Sequence, residues 1–272
     1  LAETRNFDGT VDFIFQPAEE NEGGGRVMVE QGLFDKFPAD RVFGMHNMPG
    51  MPVGQFGIRA GSLMASFDIF ELTVTGRGGH AAMPQGCDDP IICGLAIVAA
   101  WQTIVSRNTA PLDAAVVSVT QFHAGDAWNV IPNSAVLRGT TRSFKLEVQD
   151  RLEPAMRRVA EGIAAAHGCT VEMRYERRYP PTINSAAETE MAIEAARDIV
   201  GAGAVDTDVT PRMGSEDFSF MLQAKPGAYI FIGNGDAKGT AGLHNPHYDF
   251  NDEILPIGAS YFARLVEQQL AR

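Results

Sequence analysis

The stretch FDIFELTVTGRGGHAAMPQGCDDPIICGLAIVAAW, residues 67–101, decides how this chain is built. Its first nine residues, Phe67 to Thr75, are rich in aromatic and β-branched side chains and read as a strand. Asp89 to Ser106 reads as an apolar helix. Two more strands follow, Ala114 to Phe122 and Ala135 to Phe144, separated by a loop containing Asn129 to Pro132. Glu147 to His167 is an amphipathic helix with Gly168 placed as its C-cap. Thr170 to Tyr175 is the last strand of the block. The order βαββαβ is that of an α+β sandwich of the split βαβ type.

The rhythm differs on either side. Upstream, the turn signal Asp8-Gly9 precedes the strand run VDFIF, Val11 to Phe15, and the polar segment QPAEENEGGG. A helix from Arg26 to Phe34 and strands at Arg41 to Met45 and Gln55 to Ala60 complete that part. Downstream, Tyr179-Pro180-Pro181 breaks the chain. A helix from Glu188 to Val200, a strand at Val205 to Thr210, the polar MGSEDFSF and the strand AYIFIG, Ala228 to Gly233, come next. A helix from Pro256 to Gln269 ends the series. Such alternation predicts an α/β domain with a mostly parallel sheet. The expected division is therefore 1–65 and 179–272 for the α/β domain and 66–178 for the insert.

Composition agrees with this organisation. The chain has 272 residues, and a soft prior of about 150 per domain gives two. Apolar residues at 45% and charged residues at 21% suit a globular core and exclude disorder as the main state. The balance of 34 acidic against 22 basic residues, net −12, argues against nucleic acid as a partner. The longest nearly unbroken apolar run, Pro90 to Trp101, is 12 residues, whereas a spanning helix needs about 20. No basic segment followed by an apolar one opens the chain, so no signal peptide is expected. Cys87, Cys93 and Cys169 are an odd set without zinc-type pairing, which points to a soluble cytoplasmic protein without a disulfide framework. The opening LAETRNFDGT reads as the end of a helix running into a strand, so the chain is expected to start inside an element.

Three segments with chemistry-bearing residues recur at expected strand ends, where open α/β sheets bind ligands. Glu19 and Glu20 follow VDFIF; one carboxylate could hold a metal while the other moves protons, or both could simply favour a helix start. His46 lies in GMHN, and His244 in LHNPHYDFND after AYIFIG and a glycine-rich loop, with His247 the more distant histidine. Carboxylates and imidazoles together suit a hard-to-borderline metal. In the insert, glycines bracket His80 in GRGGHAA, which permits either a close backbone approach or a plain hairpin turn. Arg138 and Arg142 share a sheet face by their even spacing, either to bind a carboxylate or to face solvent. Asn129 and Ser215-Glu216-Asp217 are the remaining polar candidates.

In this order QPAEE, GMHN, GRGGHAAMP, NVIP, RGTTR, MGSEDFS and LHNPHYDFND resemble the aminoacylase and carboxypeptidase-like zinc metallopeptidases. The likeness is to their hippurate hydrolase and auxin-conjugate (IAA-amino acid) amidohydrolase branch, and it runs from about Gly9 to the C-terminus. It implies a two-metal α/β catalytic domain with an inserted dimerisation, or lid, domain, and a homodimer. It implies Glu19 as general base and Glu20, His46 and His244 as metal ligands. His80 matches the lid histidine that supports the oxyanion in the partner subunit's site. Asn129, Arg142, Gly214 and Ser215 match the surface that receives the substrate's carboxylate.

The implied activity is metal-dependent hydrolysis of N-acyl amino acids, with zinc, manganese, cobalt or nickel all compatible with these ligands. Members of this branch carry a further N-terminal segment with a Cys-Gly-His-Asp motif that supplies a cysteine and a histidine ligand and an aspartate behind the base. No such motif stands in this sequence, and none of its cysteines is placed to substitute. The expectation is a chain lacking the first part of its catalytic domain. Two alternatives remain open at this point: a catalytically incompetent dimerising fragment, and a dipeptidase or carboxypeptidase of the same superfamily.

Overall fold

A computed structural model describes residues 1–20, 22–235 and 242–272. The chain forms two compact units: Leu1–Leu63 with Thr182–Arg212 and Glu216–Arg272, and Met64–Pro181 with Met213–Ser215.

The first unit is built on a mixed sheet. Val42–Pro49 lies parallel to Gly227–Gly235, which runs antiparallel to Phe56–Gly57, and Val205–Asp206 pairs parallel with the latter. Every residue of Gly227–Gly235 is buried, the pattern of a strand covered on both faces. Helices Ala186–Val200 and Leu255–Gln269 pack against each other, and Ala192, Ala196, Tyr261 and Leu265 close over Ile230 and Ile232.

Several expectations for this unit are corrected. Val11 to Phe15 is not a strand; it pairs with no strand among the described residues, and Phe13 and Phe15 are 69% and 87% exposed. Alternating apolar residues supply a face, but a strand also requires a neighbour for its backbone groups. The Arg26 to Phe34 helix is instead two, Gly24–Glu30 and Leu33–Lys36, because Gly32 turns the chain at φ +83°. The strands expected at Gln55 to Ala60 and Val205 to Thr210 shrink to two paired residues each. The sheet is mostly parallel as expected, with one antiparallel pairing, that of Gly227–Gly235 with Phe56–Gly57. The glycine-rich loop expected after AYIFIG falls largely on 236–241, outside the described residues.

The second unit has the βαββαβ order. Its sheet runs Ala115–Ala124, Ser134–Ser143, Phe67–Thr75, Thr170–Tyr179, with every neighbour antiparallel. Asp68, Phe70, Leu72 and Val74 alternate into the core, as a strand covered on one face requires. Helices Pro90–Asn108 and Leu146–Ala166 cover that face. Pro90–Asn108 is long and apolar enough by length and composition to cross a membrane, more so than the 12-residue run suggests. Here its stripe of Cys93, Ile97, Trp101 and Ile104 is buried in the sandwich core. Asp89 caps its start by accepting from Ile91 N–H at 2.8 Å, and the Trp101 indole donates to Met156 O at 3.0 Å.

Within the loop expected at Asn129 to Pro132, Val130–Ile131 form a short ladder with Gly79–His80. The glycines before His80 do permit a close approach, and what approaches is the chain itself. A Cβ on Gly78 would stand 2.2 Å from the Ile131 carbonyl oxygen, and one on Gly76 would stand 2.0 Å from that of Asp88.

Candidate metal centre and substrate-contacting residues

In the first unit Glu19, Glu216 and Asp217 bring carboxylate oxygens within 4.8 Å of one another. Local backbone sets this up. Ala18, immediately before Glu19, adopts a left-handed φ of +51°, a costly conformation for a residue with a Cβ. Asp217 is fixed by the Gly25 N–H at 2.6 Å, and a Cβ on Gly25 would stand only 2.9 Å from Asp217 Oδ1. Glu216 accepts from the Tyr229 hydroxyl at 2.7 Å and from the Phe218 N–H at 3.0 Å. The Gln16 amide donates to Glu216 at 2.9 Å and also to Asp217.

Burial, together with the charges of Glu216, Glu20 and Asp217, pushes the Glu19 carboxyl up to about 8. Burial and the neighbouring Glu216 raise Asp217 to about 6 against the opposing Gly25 N–H bond. Partly desolvated carboxylates crowded in this way are what a divalent cation relieves.

Beside this cluster, Glu20 Oε2 and His244 Nδ1 lie 3.3 Å apart, both largely exposed. Two ligands of one tetrahedral metal with bonds near 2.1 Å are separated by about 3.4 Å, so the pair fits a shared divalent ion. His244 itself has a left-handed φ of +66°, a second strained non-glycine residue among the candidates. His46 sits in the Val42–Pro49 strand opposite Phe231. Its Nδ1 contacts the Asn47 carbonyl oxygen at 2.6 Å, which makes Nε2 the nitrogen to offer a metal. Among the described residues His46 belongs to no cluster of three ligand atoms within 4.8 Å. The structure thus joins Glu20 to His244 and leaves His46 outside that spacing.

The second unit holds the other candidates. His80 is exposed, its Nδ1 accepts from the Ala82 N–H at 3.1 Å, and it pairs with Val130 across the ladder. Asn129, also exposed, accepts from the Ala81 N–H at 2.9 Å through its carbonyl. Arg142 lies over the Phe67 ring at 4.2 Å and donates to Met213 O at 3.2 Å. The Ala65 N–H holds the Gly214 carbonyl at 2.9 Å, so Arg142 and the Gly214-Ser215 turn are tied into one surface. Burial lowers the Arg142 pKa from its usual value. Arg138 shares the Arg142 face, as the spacing requires, but engages Glu71 at 2.5 Å in a half-exposed pair.

Glu216 and Asp217 were legible only as polar candidates, and Gln16, Gly25 and Tyr229 not as site residues at all. The available signal was a polar MGSEDF set among apolar residues just before a fully apolar strand.

The profile of peptidase family M20/M25/M40 matches residues 1–268. The chain is 38% identical to a hippurate hydrolase of Campylobacter jejuni over 98% of its own length and 69% of that protein. It is 41% identical to an N-acetylcysteine deacetylase of Bacillus subtilis over 94% of its length and 66% of that protein. The fold is similar to that of the Bacillus subtilis YXEP protein, described as a dinuclear metal-binding peptidase. The TM-score is 0.81 at 35% identity, covering 99% of this chain and 67% of that one. The chain thus spans about two thirds of the length of the relatives it matches.

Proposed function

The chain belongs to peptidase family M20/M25/M40, and from that membership we propose that the protein is a metal-dependent amidohydrolase acting on N-acyl amino acids. It cleaves the amide bond to give a carboxylic acid and a free amino acid. The relatives named a hippurate hydrolase and an N-acetylcysteine deacetylase support this substrate class. The observation that carries the reading is the convergence of Glu19, Glu216 and Asp217, their carboxylate oxygens within 4.8 Å of one another, beside the Glu20–His244 pair at 3.3 Å.

Glu20, His46 and His244 would hold divalent metal, with zinc, manganese, cobalt or nickel all suited to such ligands. When bound, the metal supplies Lewis acidity, making water a stronger acid and an amide carbonyl a better electrophile. Glu19 does the proton work. Its basicity lets it take a proton from the attacking water at a side-chain oxygen and return it to the departing amine. Tyr229 and Gln16 act one step back, fixing Glu216 and Asp217, whose charges sustain that basicity. Arg142, Asn129 and the Gly214-Ser215 turn take the substrate's carboxylate, the guanidinium offering charge-assisted donors. His80, from a second copy in a homodimer, supports the developing oxyanion. The three free cysteines suit a reducing compartment such as the cytoplasm.

The test is E19Q in the full-length, metal-loaded protein. Loss of a general base is expected to lower kcat by about 10²- to 10⁴-fold with metal content retained. A kcat within a few-fold of wild type refutes the role of Glu19.

A further inference from the structure

The protein has two tryptophans, and they are opposites. Trp101 is completely buried, whereas Trp128 is fully exposed at 105%. A single exposed apolar residue is ordinary, but this one has company. Met83 and Val130 are 55% and 50% exposed; Val130 belongs to the short ladder, and Met83 follows it in the turn after His80. Val130 pairs with His80, Met83 N–H donates to the His80 carbonyl at 2.8 Å, and Trp128 directly precedes Asn129. The tip is also well anchored. Asn133 accepts from Gly78 N–H at 2.9 Å through its side chain and from Gly76 N–H at 2.9 Å through its carbonyl. An anchored segment thus carries two polar candidates of the reaction and three apolar side chains whose burial contributes little to the fold.

We infer that Trp128, with Val130 and Met83, is the apolar contact for the substrate's acyl group and selects bulky or aromatic acyl chains over acetyl. This rests on the N-acyl amino acid reading above. In that substrate the acyl chain is bonded to the carbon whose oxygen His80 addresses, while the carboxylate is taken by Asn129 and Arg142. Two groups remain, the amino acid's side chain and the acyl chain, and only the acyl chain is bonded to the carbon that His80 addresses. An aromatic acyl group on an indole face gains stacking as well as burial.

The experiment compares N-benzoylglycine with N-acetylglycine in full-length, metal-loaded wild type and W128A. The expected result is a loss in kcat/KM of at least about 10-fold for the benzoyl substrate and less than about 3-fold for the acetyl one, with W128F between. Equal losses, or none, overturn the inference. Acrylamide quenching, taken as the difference between wild type and W128F, gives a readout that needs no turnover, because Trp128 is exposed and every other tryptophan cancels. Benzoate should protect Trp128 and acetate should not. Protection before any ligand is added, or no protection by benzoate, overturns the inference. Wild type inactive on both substrates would instead sink the amidohydrolase reading, and the quenching result still decides the role of Trp128.

Discussion

Two buried carboxylate sites in this molecule make opposite use of the same physics. In the second unit Asp68 is fully buried, yet donors surround it. Gln149 Nε2 lies at 2.9 Å, the Tyr175 hydroxyl at 2.8 Å and the Arg178 N–H at 3.3 Å. In the first unit the neighbours of Glu19 include Glu216, Asp217 and Glu20, so desolvation is compounded by like charge. Burial leads the upward shift at both. Asp68 is a structural node whose donors offset part of the cost of its burial, whereas Glu19 is held under a repulsion that favours a proton or a cation. Burial alone does not mark a working carboxylate; the sign of what surrounds it does.

Stability separates the two most sharply. D68A strands the Gln149, Tyr175 and Arg178 donors and should destabilise the protein by about 2–4 kcal/mol, read from the denaturant midpoint at unchanged slope. E19Q, by replacing a carboxyl that its surroundings already hold near the neutral form with a neutral amide, should leave stability equal or higher. A loss in E19Q as large as that in D68A would break the contrast.

Metal is the next largest lever. At 100 times its dissociation constant, a ligand of the folded state adds about 2.7 kcal/mol. Adding Mn(II) to chelator-treated full-length protein should raise its Tm, and E20A or H244A should cut that rise while D68N leaves it intact. An equal rise in E20A would remove Glu20 from the proposed ligands.

The contrast also predicts a pH signature. A folded-state pKa raised above the unfolded 3.8 means that Asp68 supports the fold fully below that pH. The contribution is lost as pH climbs through the raised value. In D68N the amide can keep the network, because the Tyr175 hydroxyl accepts from it and donates to Thr141 Oγ1 at 2.6 Å. The stability of D68N minus that of wild type should therefore grow as pH rises from 3.8. A flat difference would mean that the charge of Asp68 is fully compensated.

The same contrast explains what could be read from sequence. The βαββαβ insert was legible because each strand and helix carries its own period and caps; Phe67–Thr75 begins and ends where its pattern does. Asp68 stood in plain view within that pattern. The carboxylate cluster was not legible, because Gln16 meets Asp217 across 201 positions and only tertiary packing brings them together. Val11 to Phe15 failed for a related reason: its alternation is real, but a strand is a property of two segments. Adjacent glutamates at Glu19 and Glu20 carried the family likeness, yet the basicity of Glu19 depends on burial and on Glu216, about 200 residues away.

The smallest expected effect tests whether proximity of opposite charges matters where water has access. Arg138 and Glu71 lie across adjacent strands at 2.5 Å, with side chains 51% and 41% exposed. Water screens the attraction, and ordering two long side chains offsets part of what remains. A double-mutant cycle with R138A and E71A should give a coupling of about 0.2–1 kcal/mol, shrinking in high salt. A coupling near that of the Asp68 network would mean that geometry outweighs burial in this protein. The ranking of Asp68, Glu19 and surface pairs by the polarity around them would then fail at its weakest member.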